Sequence, residues 1–223
     1  MKIHLVSIFP AIFDSYLNEG IMKRARDKKI TRYEVHNLRD WTHDRHRTVD
    51  DTPYGGGAGM LMKIEPWFLA LKDLKKKSRV KSAKRKVILL SAGGQKWNQN
   101  LAKKYSKLDE LVFVCGRYEG VDARIKSFID AEISVGDYVL TGGELPALTI
   151  IDSIVRLLPG VLGNKESIVE ESHSEDGLAE YPQYTRPEIF IADKKKYRVP
   201  KILLSGDHKK IKEWQKKHQP KSK

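Results

Sequence analysis

Ser134-Val135-Gly136-Asp137-Tyr138-Val139-Leu140-Thr141-Gly142-Gly143-Glu144-Leu145 continues the apolar run Ala131-Glu132-Ile133. Cys115-Gly116-Arg117-Tyr118-Glu119-Gly120 continues Leu111-Val112-Phe113-Val114 in the same way. A short apolar run that opens into a glycine-bearing stretch reads as a buried strand ending in a loop. Glycine there lets backbone N–H and C=O groups approach a ligand without a Cβ between, and it tolerates positive φ. Two such loops side by side make a backbone-lined pocket. After Gly142-Gly143 a helix starts, with Pro146 in its first turn, where a missing N–H costs little.

The same rhythm recurs on either side of these loops. Lys2 to Phe9 reads as a first strand ending at Pro10, Ala11 to Asn18 and Ile21 to Lys29 as helices about Gly20, and Thr31 to Leu38 as a second strand. Helices are expected from Glu65 to about Lys77, Asn98 to Ser106, Val121 to Ile129 and Glu144 to Leu158. Further strands are expected at Val87 to Leu90, Leu111 to Cys115 and Glu132 to Val135. Ser91-Ala92-Gly93-Gly94-Gln95 is expected to close its strand with a third glycine turn. Strands alternating with helices predict an α/β protein with a mainly parallel sheet and helices on both faces. Ligands on such sheets sit beyond the carboxyl ends of the strands, where Ser91, Cys115 and Ser134 all fall.

Two stretches interrupt this pattern. From Arg39 to Met62 a long irregular segment carries Trp41, Tyr54 and Gly55, Gly56, Gly57 and Gly59. Loops of such length are usually functional or disordered, and this mix argues for ordered contact work. It lacks the Gly-Lys-Ser/Thr of a P-loop and the dinucleotide spacing. His43 and His46 have no cysteine partners, so the spacing makes no zinc site. From Lys72 to Lys86 nine Lys or Arg stand against one Asp, which reads as an exposed, partly disordered basic linker rather than a dedicated RNA contact.

The chain has 223 residues, 40% apolar, enough for a sizeable core in one large or two small domains. No run is long enough to span a bilayer, and the first residues lack a signal peptide's apolar segment, so no membrane association and a cytoplasmic location are expected. The single Cys115 agrees with a reducing compartment. A formal charge of +13 attracts polyanions, and nucleic acid is the expected partner. Between Asn164 and Gly177 the composition turns acidic, with Glu166, Glu170, Glu171, Glu175 and Asp176, which marks a domain boundary. The predicted organisation is a domain over 1–162, a linker over 163–177, and a small, basic, helical domain over 178–223.

The two glycine loops, with Asp50-Asp51-Thr52-Pro53-Tyr54-Gly55-Gly56-Gly57-Ala58-Gly59-Met60, resemble those of the bacterial tRNA (guanine-N1)-methyltransferases of the SPOUT class, and the similarity spans nearly the whole chain. The resemblance implies a trefoil knot at the cofactor site, S-adenosylmethionine as methyl donor, and methylation of the guanosine 3′ of the tRNA anticodon. It also implies a homodimer with pockets completed by the partner's linker and C-terminal unit, and a requirement for magnesium, for which no ligand motif is evident. By the same resemblance Leu89, Gly116, Tyr118, Glu119, Ser134, Val135, Gly136, Tyr138, Leu140, Gly142 and Gly143 bind the cofactor, while Asp50, Tyr54, Gly55 and Gly59 lie against the target guanine.

Guanine N1 bears a proton, so methylation there needs a base, and negative charge developing on O6 is stabilised by a guanidinium. The resemblance assigns these roles to Glu171, where the family usually has Asp, and to Arg156, with Asp176 as the other candidate base. Two further function classes remain open from sequence: a non-catalytic RNA-binding protein on an emptied methyltransferase fold, and a SPOUT enzyme acting on another RNA atom such as a ribose 2′-hydroxyl.

Overall fold

The computed structural model describes residues 1–162 and 181–220. The chain divides into two compact units, Met1–Gly163 and Asn164–Lys223. The first opens with β1 (Lys2–Ser7), a 3₁₀ turn Pro10–Phe13 running into α1 (Asp14–Leu17), α2 (Gly20–Asp27) and β2 (Arg32–Asn37). Two short strands follow, β3 (Asp50–Asp51) and β4 (Leu61–Met62), then α3 (Ile64–Lys77) and β5 (Arg85–Lys96). The unit closes with α4 (Gln99–Tyr105), β6 (Glu110–Val114), a 3₁₀ segment Ala123–Phe128, β7 (Ala131–Ser134) and α5 (Glu144–Val155).

The five-stranded sheet has the order β2-β1-β6-β5-β7, and every pairing is parallel. Its two faces are separated by the period-2 alternation of strand side chains. Leu111 and Phe113 join Ile3, Leu5 and Ile88 against the helices α2 and α5, while Val112 and Val114 join Val6, Val87 and Leu89 against Trp67, Ala70 and Leu71 of α3. The predicted two-faced α/β sheet is the observed one. Every residue of β6 is buried, and beyond Glu110, whose carboxylate pairs with Arg85, the strand reads as an unbroken apolar run.

Four expectations are corrected. The Ser91–Gln95 stretch does not end its strand: Leu90 and Gln95 both pair with Ile133, so the residues between form an excursion inside a longer β5. The expected Val121–Ile129 helix is only the 3₁₀ segment Ala123–Phe128, capped by the Asp122 carboxylate, while Asp122 N–H donates to Met62 C=O at 3.0 Å and so belongs to the preceding loop contact. The exposed basic connection is shorter than Lys72–Lys86: α3 runs to Lys77 and Arg85 belongs to β5, its Nε 2.6 Å from Oε1 of the buried Glu110, so only residues 78–84 link the two elements. The C-terminal unit is not purely helical: beside α6 (His208–Lys217) and a 3₁₀ turn Lys201–Leu204, it carries an antiparallel hairpin of β8 (Ile189–Ala192) and β9 (Lys195–Arg198). Asp193 and Lys194 form its turn with φ of 48° and 64°, positive values usually supplied by Asn-Gly.

His4, buried on β1, places Nδ1 2.9 Å from His36 Nε2 and 3.3 Å from Glu34 Oε2. Burial, then the charge of Lys2, lowers its pKa from 6.5 to about 4. The unfolded chain therefore takes up this proton first as pH falls. Stability is expected to be whole above about pH 6.5 and to drop towards pH 4 by up to roughly 3 kcal/mol. Urea midpoints between pH 5 and 7 check this, with a flatter profile expected for His4→Asn; equal profiles for both proteins would contradict it.

Candidate cofactor site at the strand ends

The carboxyl ends of β6 and β7, with the middle of β5 where its excursion begins, open into a cavity of about 360 Å³. Its walls are the start of the β5 excursion, the loop after β6 and the loop after β7. The two loops are stitched together: Gly143 N–H donates to Gly116 C=O at 2.9 Å, and Arg117 bridges to Gly142. Such close approach requires glycine. A Cβ on Gly143 would lie 2.7 Å from Cys115 Cα, and one on Gly142 would lie 2.2 Å from Arg117 Nε.

Arg117 is the strut of this junction. Its Nε stands 2.9 Å from Oε2 of Glu144, a carboxylate buried at the first residue of α5, where the helix dipole favours negative charge. Its guanidinium lies 4.8 Å over the Phe9 ring and donates from Nη1 to Thr141 C=O at 3.3 Å. Glu144 also accepts from Ser7 Oγ, and Ser7 Oγ accepts from Phe9 N–H, so the end of β1 is fastened to the same helix start. Nothing in the sequence pairs Arg117 with Glu144, 27 positions apart; the visible signal is an arginine inside a glycine turn, and it is silent about the partner.

Every residue that the sequence assigns to the cofactor lines this cavity: Leu89, Gly116, Tyr118, Glu119, Ser134, Val135, Gly136, Tyr138, Leu140, Gly142 and Gly143. Glu132 lines it as well, its pKa lowered chiefly by a hydrogen bond from Lys126, 3.0 Å away, so it stays a carboxylate. Burial, with the Glu144 charge, pushes the Cys115 thiol well above its usual pKa, which argues against a thiolate nucleophile.

The irregular segment closes up beside Glu119. β3 and β4 pair Asp50 with Met62 and Asp51 with Leu61, and Glu119 N–H donates to Met60 C=O while Met62 N–H donates to Gly120 C=O, both at 3.0 Å. A Cβ on Gly59 would lie 2.6 Å from the Glu119 side chain. Asp50, Tyr54, Gly55 and Gly59 thus belong to a loop against the cavity wall without lining the cavity, and Tyr54 is fully exposed. Arg156 is not brought there: it caps the far end of α5, whose 12 residues span about 18 Å from the glycine loop. Glu171 and Asp176 lie outside the described residues.

Among the described residues the cluster with metal-binding geometry is His4, Glu34 and His36, whose ligand atoms lie within 4.8 Å of one another. Glu34 is already held by Lys2 at 3.1 Å and Arg32 at 2.9 Å, and two imidazoles are a poor match for magnesium, which prefers oxygen. None of the three lines the strand-end cavity.

A parallel sheet with a glycine-walled cavity at its strand ends is an α/β architecture, in which the carboxyl ends of the strands are the usual place for a ligand. The sequence matches, over residues 1–223, the family described as tRNA (guanine-1)-methyltransferase TrmD. It is 52% identical over 217 residues, covering 97% of this chain and 84% of the relative, to the tRNA (guanine-N(1)-)-methyltransferase of Dictyoglomus turgidum. Proteins of the same description from Citrifermentans bemidjiense and Clostridium novyi are 49% and 50% identical, covering 98% and 96% of this chain and 85% and 84% of the relatives. The chain belongs to the tRNA (guanine-1)-methyltransferase TrmD family, and it is a methyltransferase. No helix among the described residues is long and apolar enough to cross a membrane.

Proposed function

We propose that the chain methylates N1 of the guanosine 3′ of the tRNA anticodon, position 37, with S-adenosylmethionine as donor, yielding 1-methylguanosine and S-adenosylhomocysteine in the cytoplasm. The observation that carries this reading is the gathering of all the assigned cofactor residues on one cavity. Its volume is that of a small-molecule site. Leu89, Val135 and Leu140 offer apolar walls for an adenine, backbone around Gly116 and Gly136 offers hydrogen bonds, and the Glu119 and Glu132 carboxylates suit a cationic ligand. When bound, S-adenosylmethionine supplies an electrophilic methyl carbon. The chain's own part is to hold the guanine edge-on, to take the N1 proton onto the Glu171 carboxylate, and to balance the charge on O6 with Arg156.

A homodimer fits this assignment. Arg156 does not reach the cavity of its own chain, and exposed apolar side chains stand beside that cavity, Val139 at 88% and Leu145 at 59%. A second copy covering them would remove that surface from water. In this reading residues 163–177 form the linker bearing the base, 178–223 form a tRNA-binding unit, and the paired loops after β6 and β7 are the site of the trefoil knot. Magnesium, which the resemblance implies, finds no oxygen-rich ligand set among the described residues, and no role is assigned to it.

The test is single-turnover transfer of labelled methyl to tRNA transcripts carrying guanosine or adenosine at position 37. Label is expected only on the guanosine form. Equal labelling of both forms would overturn the reading in favour of a ribose hydroxyl, and cofactor binding without transfer to either would favour a non-catalytic RNA-binding protein.

A further inference from the structure

A second cavity, of about 500 Å³, lies where β5 and β7 begin, at the other end of the sheet from the cofactor cavity and between α3 and the Ala123–Phe128 segment. Phe68 of α3 and Phe128 meet there with ring centroids 5.1 Å apart and planes inclined at 58°. Both rings remain partly in water, 36% and 41% exposed. Lys72 Nζ stands 5.7 Å over the Phe68 ring, and Lys75 and Arg85 line the same groove. Arg85 uses Nε on Glu110, but its buried Nη2 has no hydrogen-bond acceptor among the described residues. Asp130, the acid in the lining, is already engaged: one oxygen accepts Val87 N–H at 2.7 Å and the other lies 3.4 Å from Lys86 Nζ.

A solvated lysine face would explain the cations but not two phenylalanine rings gathered under them. Paired aromatic faces, flanking cations and no uncommitted acid together select a planar aromatic ligand that carries negative charge, the chemistry of a nucleotide within an RNA strand. The same lysines open the basic stretch Lys72–Lys86, which contributes nothing to the cofactor cavity. We propose that this groove is a second RNA-contact site, which stacks an unpaired nucleotide of the tRNA away from the methylation target and pairs its phosphates with Lys72 and Lys75. The proposal rests on tRNA being the substrate.

The experiment uses full-length chains and an unmodified tRNA transcript, with binding followed by fluorescence anisotropy across a salt series. Lys72→Glu/Lys75→Glu is expected to weaken binding at low salt roughly ten-fold and to make the log–log salt slope shallower by about 1.4 to 1.8, as loss of two phosphate contacts requires. Phe68→Ala/Phe128→Ala is expected to weaken binding roughly five-fold or more with the slope unchanged, because stacking releases no counterions. Calorimetric S-adenosylmethionine binding and near-UV circular dichroism should match the parent in both variants, which separates loss of the groove from unfolding. Parental tRNA affinity in a folded Phe68→Ala/Phe128→Ala protein overturns the proposal, whatever the lysine variant does, and leaves the groove to another ligand. Failure of the parent chain to methylate guanosine would instead strike the proposed function, so the two readings fail separately.

Discussion

Gly142→Val is expected to abolish S-adenosylmethionine binding. A Cβ at this position would meet Arg117 Nε at 2.2 Å and Glu144 Oε2 at 2.6 Å, an overlap relieved only by moving two side chains that are paired with each other, one of them, Glu144, buried at a helix start. The extra methyls of valine leave two outcomes: the loop after β7 lifts from the loop after β6, or the Arg117–Glu144 pair breaks. Breaking it strands a buried carboxylate, at a cost of about 3 to 5 kcal/mol. Isothermal calorimetry should show no heat of cofactor binding, while far-UV circular dichroism retains the parallel sheet's signature. Arg117→Lys keeps the charge but loses the planar fork that spans Glu144 and Thr141, and should weaken binding less severely. Parental cofactor affinity in Gly142→Val would mean that the loop junction does not shape the site.

Glu171→Gln is expected to leave cofactor and tRNA binding nearly intact and to slow single-turnover methyl transfer by roughly 10²- to 10⁴-fold, the range typical of losing a general base. The amide keeps size and hydrogen bonding but cannot take the N1 proton. Glu171→Asp shortens the arm by one methylene to the residue usual in the family and should keep substantial activity. Arg156→Lys should lose more than its retained charge suggests, since a single ammonium would replace the planar donor fork that the proposed function assigns to O6. Single-turnover measurement matters because slow product release would otherwise hide the chemical step. If transfer stays near the parental rate in Glu171→Gln and collapses in Asp176→Asn, the base is Asp176. Coexpressed Gly142→Val and Glu171→Gln chains should regain activity if each cavity is completed by the other subunit, and should stay inactive if each chain works alone.

What was legible in the sequence follows from how locally each feature is encoded. Leu111 to Val114 declares itself because a central parallel strand is buried on both faces, Ala131 to Ser134 less fully because only Ile133 and Ser134 of this edge strand are buried, and the glycines after them because close loop approach admits no side chain. Features set by distant partners stayed hidden. The Ser91–Gly94 excursion depends on Ile133 of a later strand pairing twice, so the local glycines read as a strand end. Arg85 reads as part of a solvated basic run until β6 brings the buried Glu110 to it. The β8–β9 hairpin carries no local signature, because its Asp193-Lys194 turn lacks the usual Asn-Gly. At the candidate site, the cofactor-lining residues were legible through their loops, whereas the Arg117–Glu144–Ser7 junction that holds those loops joins three separate strand ends and helix starts.

The most direct measurement is to incubate the chain with methyl-labelled S-adenosylmethionine and bulk bacterial tRNA, digest the product, and locate the label by nucleoside and position. 1-Methylguanosine confined to position 37 is the expected product. Label on a ribose oxygen, on another base, or at guanosines elsewhere in the tRNA would contradict it.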